Sequence, residues 1–235
     1  MDDDSKPIES SPAALLRARL KTPRAAAIAG ILFSVLLISS LWLLRISIPA
    51  DPLETGAWIK TSSRRVSFAL DLVPFAGICF LWFIGVLRDR LGLLEDRFFA
   101  TVFLGSGLLF LGMTFVAAAA TGGLILAYSA QPEALFGAAT FVFARAFTFD
   151  IMHFYAFKMA AVFMITASTL AVRTRITARW IALLGYASAA VLLLGSGYSD
   201  WVLFVFPSWV LLVSGYILID NLRGPSRTTL KDDER

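Results

Sequence analysis

Asp150, His153 and Lys158 stand inside the run FDIMHFYAFKMA, residues 149–160, in a chain whose residues are only 16% charged. An acid, an imidazole and an ammonium at this spacing are groups that bind ions or pass protons, and each is costly to place unpaired in hydrocarbon. Tyr155 adds a phenol between them. A second acid, Asp71, lies in the apolar stretch SFALDLVPFAG, where Pro74 and Gly77 follow it. Proline removes a backbone hydrogen bond and bends a helix, and a bend beside an acid can free a carbonyl for an ion or a water.

At 100° per residue, Asp150 and His153 lie about 60° apart on a helix, and Lys158 lies about 80° to the other side, so the three share one broad face. Two uses of these groups stay open. In the first, Asp71, Asp150, His153, Tyr155 and Lys158 line a water-filled vestibule in the outer half of a proton-coupled transporter or channel. His153 is its natural switch, imidazole being the side chain that changes charge nearest neutral pH. In the second, Asp71 and Lys158 form a buried pair that locks two helices together, and His153 is a hydrogen-bonded interfacial residue.

Other chemistries find less support. One histidine and one cysteine, Cys79, exclude an intrachain disulfide, a cysteine or histidine zinc site and a bis-histidine haem, though not a cation site built of carboxylates. No nucleophile elbow, P-loop, HExxH or dinucleotide fingerprint is present. A lysine with an aspartate counter-ion is the chemistry of a retinal Schiff base, but Lys158 falls in the fourth of six spans rather than a seventh. An enzyme acting on lipid or quinone would rest on Asp150, His153 and Tyr155 and ranks last. The sequence identifies no cofactor.

The elements that carry these residues follow from composition. Hydrophobic residues make up 58% of the 235, with twenty Phe and six Trp, and the mean hydropathy is +0.75. A soluble domain has an apolar share of roughly 45–50%. Apolar runs near the 20 residues needed to cross a bilayer occupy positions 25–44, 66–87, 98–120, 148–172, 180–196 and 201–219. The expectation is an all-α, polytopic integral membrane bundle of six transmembrane helices in one domain, residues 24–222. Residues 1–23 form a disordered acidic tail and a basic juxtamembrane segment that suits an anionic membrane surface. Residues 223–235 form a second tail. The third run continues through Gly122 and Gly123 and is either long and tilted or broken there. Residues 134–146, interrupted by Arg145, suit an interfacial or re-entrant helix better than a seventh span.

Lys and Arg near the span ends set orientation. With the N-terminus in the cytoplasm, the inner side carries Arg17, Arg19, Lys21 and Arg24, then Arg88, Arg90 and Arg97, then Arg173, Arg175 and Arg179, then Arg223, Arg227 and Lys231. The outer side carries Arg45, Lys60, Arg64, Arg65 and Arg145. Thirteen against five places both termini in the cytoplasm. The net charge of +4 is therefore topological, and nucleic acid is not an expected partner. The partners expected are the lipid bilayer and, through the small residues from Gly105 to Gly122, a possible second copy of the chain. The composition suits a bacterial cytoplasmic (inner) membrane. A small-ion or solute transporter or channel is the first functional expectation, and a non-catalytic scaffold or assembly partner the alternative.

Overall fold

In lipid every backbone N–H and C=O has to be satisfied within its own segment, so long apolar runs become helices. The computed structural model describes residues 12–49, 56–91, 97–130, 139–174, 179–195 and 199–223, and among these all regular structure is helical. Helix α1 spans Pro12–Ser47, α2 Trp58–Leu91 and α3 Arg97–Ala130. Helix α4, Ala139–Asp150, continues through a π-helical segment, Ile151–Ala156, into α5, Phe157–Thr174. Helix α6 is Arg179–Gly195, and a 3-10 turn, Asp200–Phe204, leads into α7, Val205–Arg223. Five of the rods, Ala25–Ser47, Trp58–Arg88, Phe98–Ala130, Ala139–Arg173 and Trp201–Ile219, are long and apolar enough to cross a bilayer. The sixth, α6, is equally apolar in character but only 17 residues long.

The rods close into a ring in sequence order: α1 packs on α2, α2 on α3, α3 on the α4–α5 rod, α5 on α6, α6 on α7, and α7 back on α1. Short connections between antiparallel neighbours give this arrangement. The ring is filled by phenylalanine. Phe80 of α2 meets Phe33 of α1 at 4.6 Å between centroids, Phe110 of α3 at 5.6 Å, Phe163 of α5 at 5.4 Å and Phe206 of α7 at 5.8 Å. All five rings are fully buried. Leu194, Leu126, Trp82 and Phe143 are instead mostly exposed around the outside, an apolar girdle that water would penalise and lipid accepts. The molecule is thus a multi-pass, membrane-type helical bundle.

A smaller apolar cluster, Trp58, Ile59, Val66, Leu124 and Phe141, ties the start of α2 to the end of α3 and the start of α4. Gly56 enters it with φ +85°, a backbone conformation open to glycine, and any Cβ there would run into the Phe141 ring. Deeper in the bundle, Ser40 donates to the Ala69 carbonyl at 2.7 Å and joins α1 to α2, the kind of polar tie that apolar surroundings favour.

Several boundaries differ from the expectations. Helix α2 starts at Trp58, eight residues before the apolar run, because KTSSRR is compatible with helix once it projects beyond the hydrocarbon. Helix α3 passes through Gly122 and Gly123 unbroken. Residues from Ala139 onward form no separate interfacial or re-entrant helix: they are the opening turns of the fourth rod, and positions 134–138 lie outside the described residues. The basic juxtamembrane segment from Pro12 is continuous with the first span, whereas the acidic head before it and the tail after Arg223 lie outside the described residues. Pro74 stands within α2 without ending it. Gly77 serves close packing, since a Cβ there would strike Phe115 and Leu111 of α3.

Candidate functional site

The fourth rod changes pitch where its polar residues lie. Between Ile151 and Ala156 it is π-helical, and the Phe157 N–H reaches back five residues to the Met152 carbonyl. Such one-turn widenings of an α-helix often mark functional positions. Inside the widened turn, His153 is buried, its ring stacked on Phe149 at 3.9 Å between centroids. His153 Nδ1 lies 3.0 Å from the Phe149 carbonyl oxygen. A carbonyl only accepts, so Nδ1 is the donor of this bond.

His153 lines a cavity of about 150 Å³ at the end of the bundle where α1 and α3 finish and α2 and α4 begin. Arg45 from α1 and Arg145 from α4 line the same cavity, with walls of Leu41, Leu44, Leu124 and Phe149. The Arg145 guanidinium is 5.8 Å from the Trp58 ring centroid, and its Nη2 donates to the Pro49 carbonyl at 3.3 Å. The Arg45 guanidinium is 5.9 Å from the Trp201 ring centroid. Indole faces attract such cations. Arg45, Arg145 and His153 each have further interactions as well. None of the described residues lining the cavity is acidic, and guanidinium stays charged at every working pH, so the described part of the lining carries positive charge. The Trp58 Nε1 hydrogen is buried in the same wall without an acceptor among the described residues. An anionic oxygen would supply one.

The hydroxyls near this cavity are already committed as donors. Thr121 donates to the Ala117 carbonyl at 2.9 Å and Thr148 to the Ala144 carbonyl at 2.8 Å. Charge is therefore concentrated at the rim, while the depth is apolar.

Of the five residues expected to form one cluster, the cavity receives only His153. Asp150 and Tyr155 are exposed on other faces of the fourth rod. The π turn separates them, since a wheel drawn at a constant 100° per residue fails across it. Lys158 is half-buried, its ammonium 5.4 Å from the Phe154 ring centroid one turn back, in keeping with the lean of helical side chains toward the N-terminus. Asp71 is exposed on α2, about 9 Å along the axis from Arg65 at 1.5 Å per residue. No ion pair joins Asp71 to Lys158: Lys158 faces a ring, and Asp71 faces outward beside the exposed Phe68 and Phe75. Arg45, by contrast, is legible in the sequence only as a topological charge, and Arg145 as that and as the interruption of residues 134–146. Among the described residues no group of three or more His, Cys, Asp or Glu is placed to hold a metal ion.

No family model, curated protein or solved structure matches the chain.

Proposed function

We propose that this membrane protein is a transporter that loads a small organic anion at the end of the bundle carrying Arg45 and Arg145. The observation that supports it most is the cavity itself, where two permanent cations, an imidazole and an indole N–H with no acceptor among the described residues line a mostly apolar wall. An anion with some apolar surface matches that combination, while a hydrated inorganic ion would find too few donors beyond the rim. His153, the imidazole of the described lining, is the side chain suited to carry a proton with the anion. Asp71, Asp150, Tyr155 and Lys158 lie outside this binding step.

The thirteen-to-five basic asymmetry supports an orientation in which the Arg45 end faces away from the cytoplasm and both termini face it. A bacterial cytoplasmic membrane suits the composition. The aromatic core formed by Phe33, Phe80, Phe110, Phe163 and Phe206 closes the bundle beneath the cavity, as expected of a transporter open to one side only. The same closure favours a second reading, a non-conducting scaffold.

Reconstituted liposomes separate the two. Uptake of labelled benzoate by the wild-type protein, reduced at least tenfold in Arg145→Gln and in Arg45→Gln, is the expected result. No benzoate flux above protein-free liposomes, from protein that still melts cooperatively, would remove the transport reading in favour of the scaffold.

A further inference from the structure

Directly beneath the cationic cavity lies a second one of about 60 Å³, and Leu41, Leu44, Thr121 and Thr148 line both. The two adjoin across these four side chains, as the upper and lower chambers of one cleft. On α1 the cleft extends from Ile48 at the rim to Leu37 at its floor, roughly 16 Å at 1.5 Å per residue.

Its chemistry changes along that length. The upper chamber holds the guanidiniums, the imidazole and the Trp58 indole. The lower one is walled by Leu37, Leu70, Val73, Ala117 and Met152. Its hydroxyls offer no spare hydrogen: Ser40 donates to Ala69 at 2.7 Å and Thr114 to Phe110 at 2.8 Å. A hydrated anion or a sugar needs donors on every side and would lose them there, whereas a hydrocarbon chain needs none. The lower chamber is also the smaller, about 60 Å³ against about 150 Å³, which suits one chain rather than two. Its floor is fixed, because buried Phe33 and Phe110 stand one helical turn below Leu37 and Thr114.

The geometry points to a single-chain anionic amphiphile as the ligand, with its carboxylate or phosphate head between Arg45 and Arg145 and its alkyl tail in the lower chamber. This rests on the organic-anion site proposed above and deepens it by assigning the tail. The Trp201, Trp58 and Pro49 contacts of Arg45 and Arg145 hold the two guanidiniums in the wall on either side of the head. The tail adds affinity for each methylene it buries.

The test is titration calorimetry of the full chain in lipid nanodiscs against saturated alkanoates from butanoate to dodecanoate, with heats from empty nanodiscs subtracted. Affinity is expected to rise about fourfold per added methylene, the equivalent of ~0.8 kcal/mol each, and to level off once the tail meets the phenylalanine floor. Arg145→Gln should weaken every member of the series by tenfold or more. Ala118→Leu, which fills the lower chamber, should cut decanoate affinity at least tenfold and leave butanoate unchanged, so that retained butanoate binding reports an intact fold. Decyl phosphate separates the head groups, and Arg145-dependent binding of either one supports the proposal. Butanoate binding as tightly as decanoate would overturn the tail assignment while leaving an organic-anion site. Decyltrimethylammonium binding as tightly as decanoate would show partition without a charged head site and overturn both. Tight decanoate binding without benzoate flux would remove transport and leave this inference standing.

Discussion

At the scale of single residues, His153 and Arg145 show opposite degrees of legibility. His153 stood out in the sequence as the lone imidazole of an apolar run, and it does reach the cavity. Arg145 looked like an interruption of a short segment, because what gives it meaning lies far along the chain: the Pro49 carbonyl it bonds is 96 positions away. Such a partner follows from closure of the ring, which no local spacing encodes. Depth misled in the same way for Asp71 and Lys158. Similar depth on two helices does not make a pair unless the helices turn those faces together, and Lys158 turns instead to Phe154. With no shared partner, the stability losses of Asp71→Ala and Lys158→Ala should add within about 0.3–0.5 kcal/mol in the double variant. Thermal melts of the four proteins of that cycle in one detergent check it, and a coupling well above that range would mean the two side chains interact.

At the scale of elements, the apolar cores of the helices were readable and their polar extensions were not. A run such as residues 98–120 has length and hydropathy in its favour. The turns of α2 before Val66 carry Lys60, Arg64 and Arg65, and those of α4 carry Arg145, so charge was taken for an ending where it marks only the edge of the hydrocarbon. Gly56 controls one such extension. Its φ of +85° and its contact with the Phe141 ring set the angle at which α2 leaves the turn and joins the Trp58 cluster. Gly56→Ala should cost about 1–3 kcal/mol of stability through backbone strain, with further loss from displacement of Phe141. Paired with Phe141→Leu, which makes room for the methyl, part of that loss should return. Urea or thermal unfolding of the two variants measures it, and an unchanged midpoint in Gly56→Ala alone would show the turn to be unstrained.

At the scale of the whole molecule, the class of protein was evident from composition, and the order of the ring follows from short links between neighbours. The aromatic filling was visible only as a count of twenty Phe, since the helices are apolar on several faces and no single stripe distinguished Phe80 from the lipid-facing Phe75. Orientation belongs to this scale too. With Cys79 replaced by Ala and a cysteine introduced at Ser226, a membrane-impermeant maleimide should fail to label intact cells and should label them once permeabilised. Labelling of intact cells would invert the topology and turn the Arg45 end toward the cytoplasm.

The π-helical turn at Ile151–Ala156 also has a meaning in terms of chain length. A turn closed by a five-residue reach holds one residue more than its α-helical counterpart, so the fourth rod behaves like a regular helix carrying a single-residue insertion. Everything after Ala156, including Phe157 and Phe163 in the aromatic core, is set one residue's rotation out of phase with everything before Asp150. Removing one residue from the segment would let the rod revert to uniform pitch. Both its rim, with Arg145 at the cavity, and its phenylalanine seam would then keep their places, whereas straightening the turn without a deletion would rotate one of them away from its neighbours. The wide turn is thus how one continuous helix accommodates an additional residue at His153 without disturbing the packing on either side.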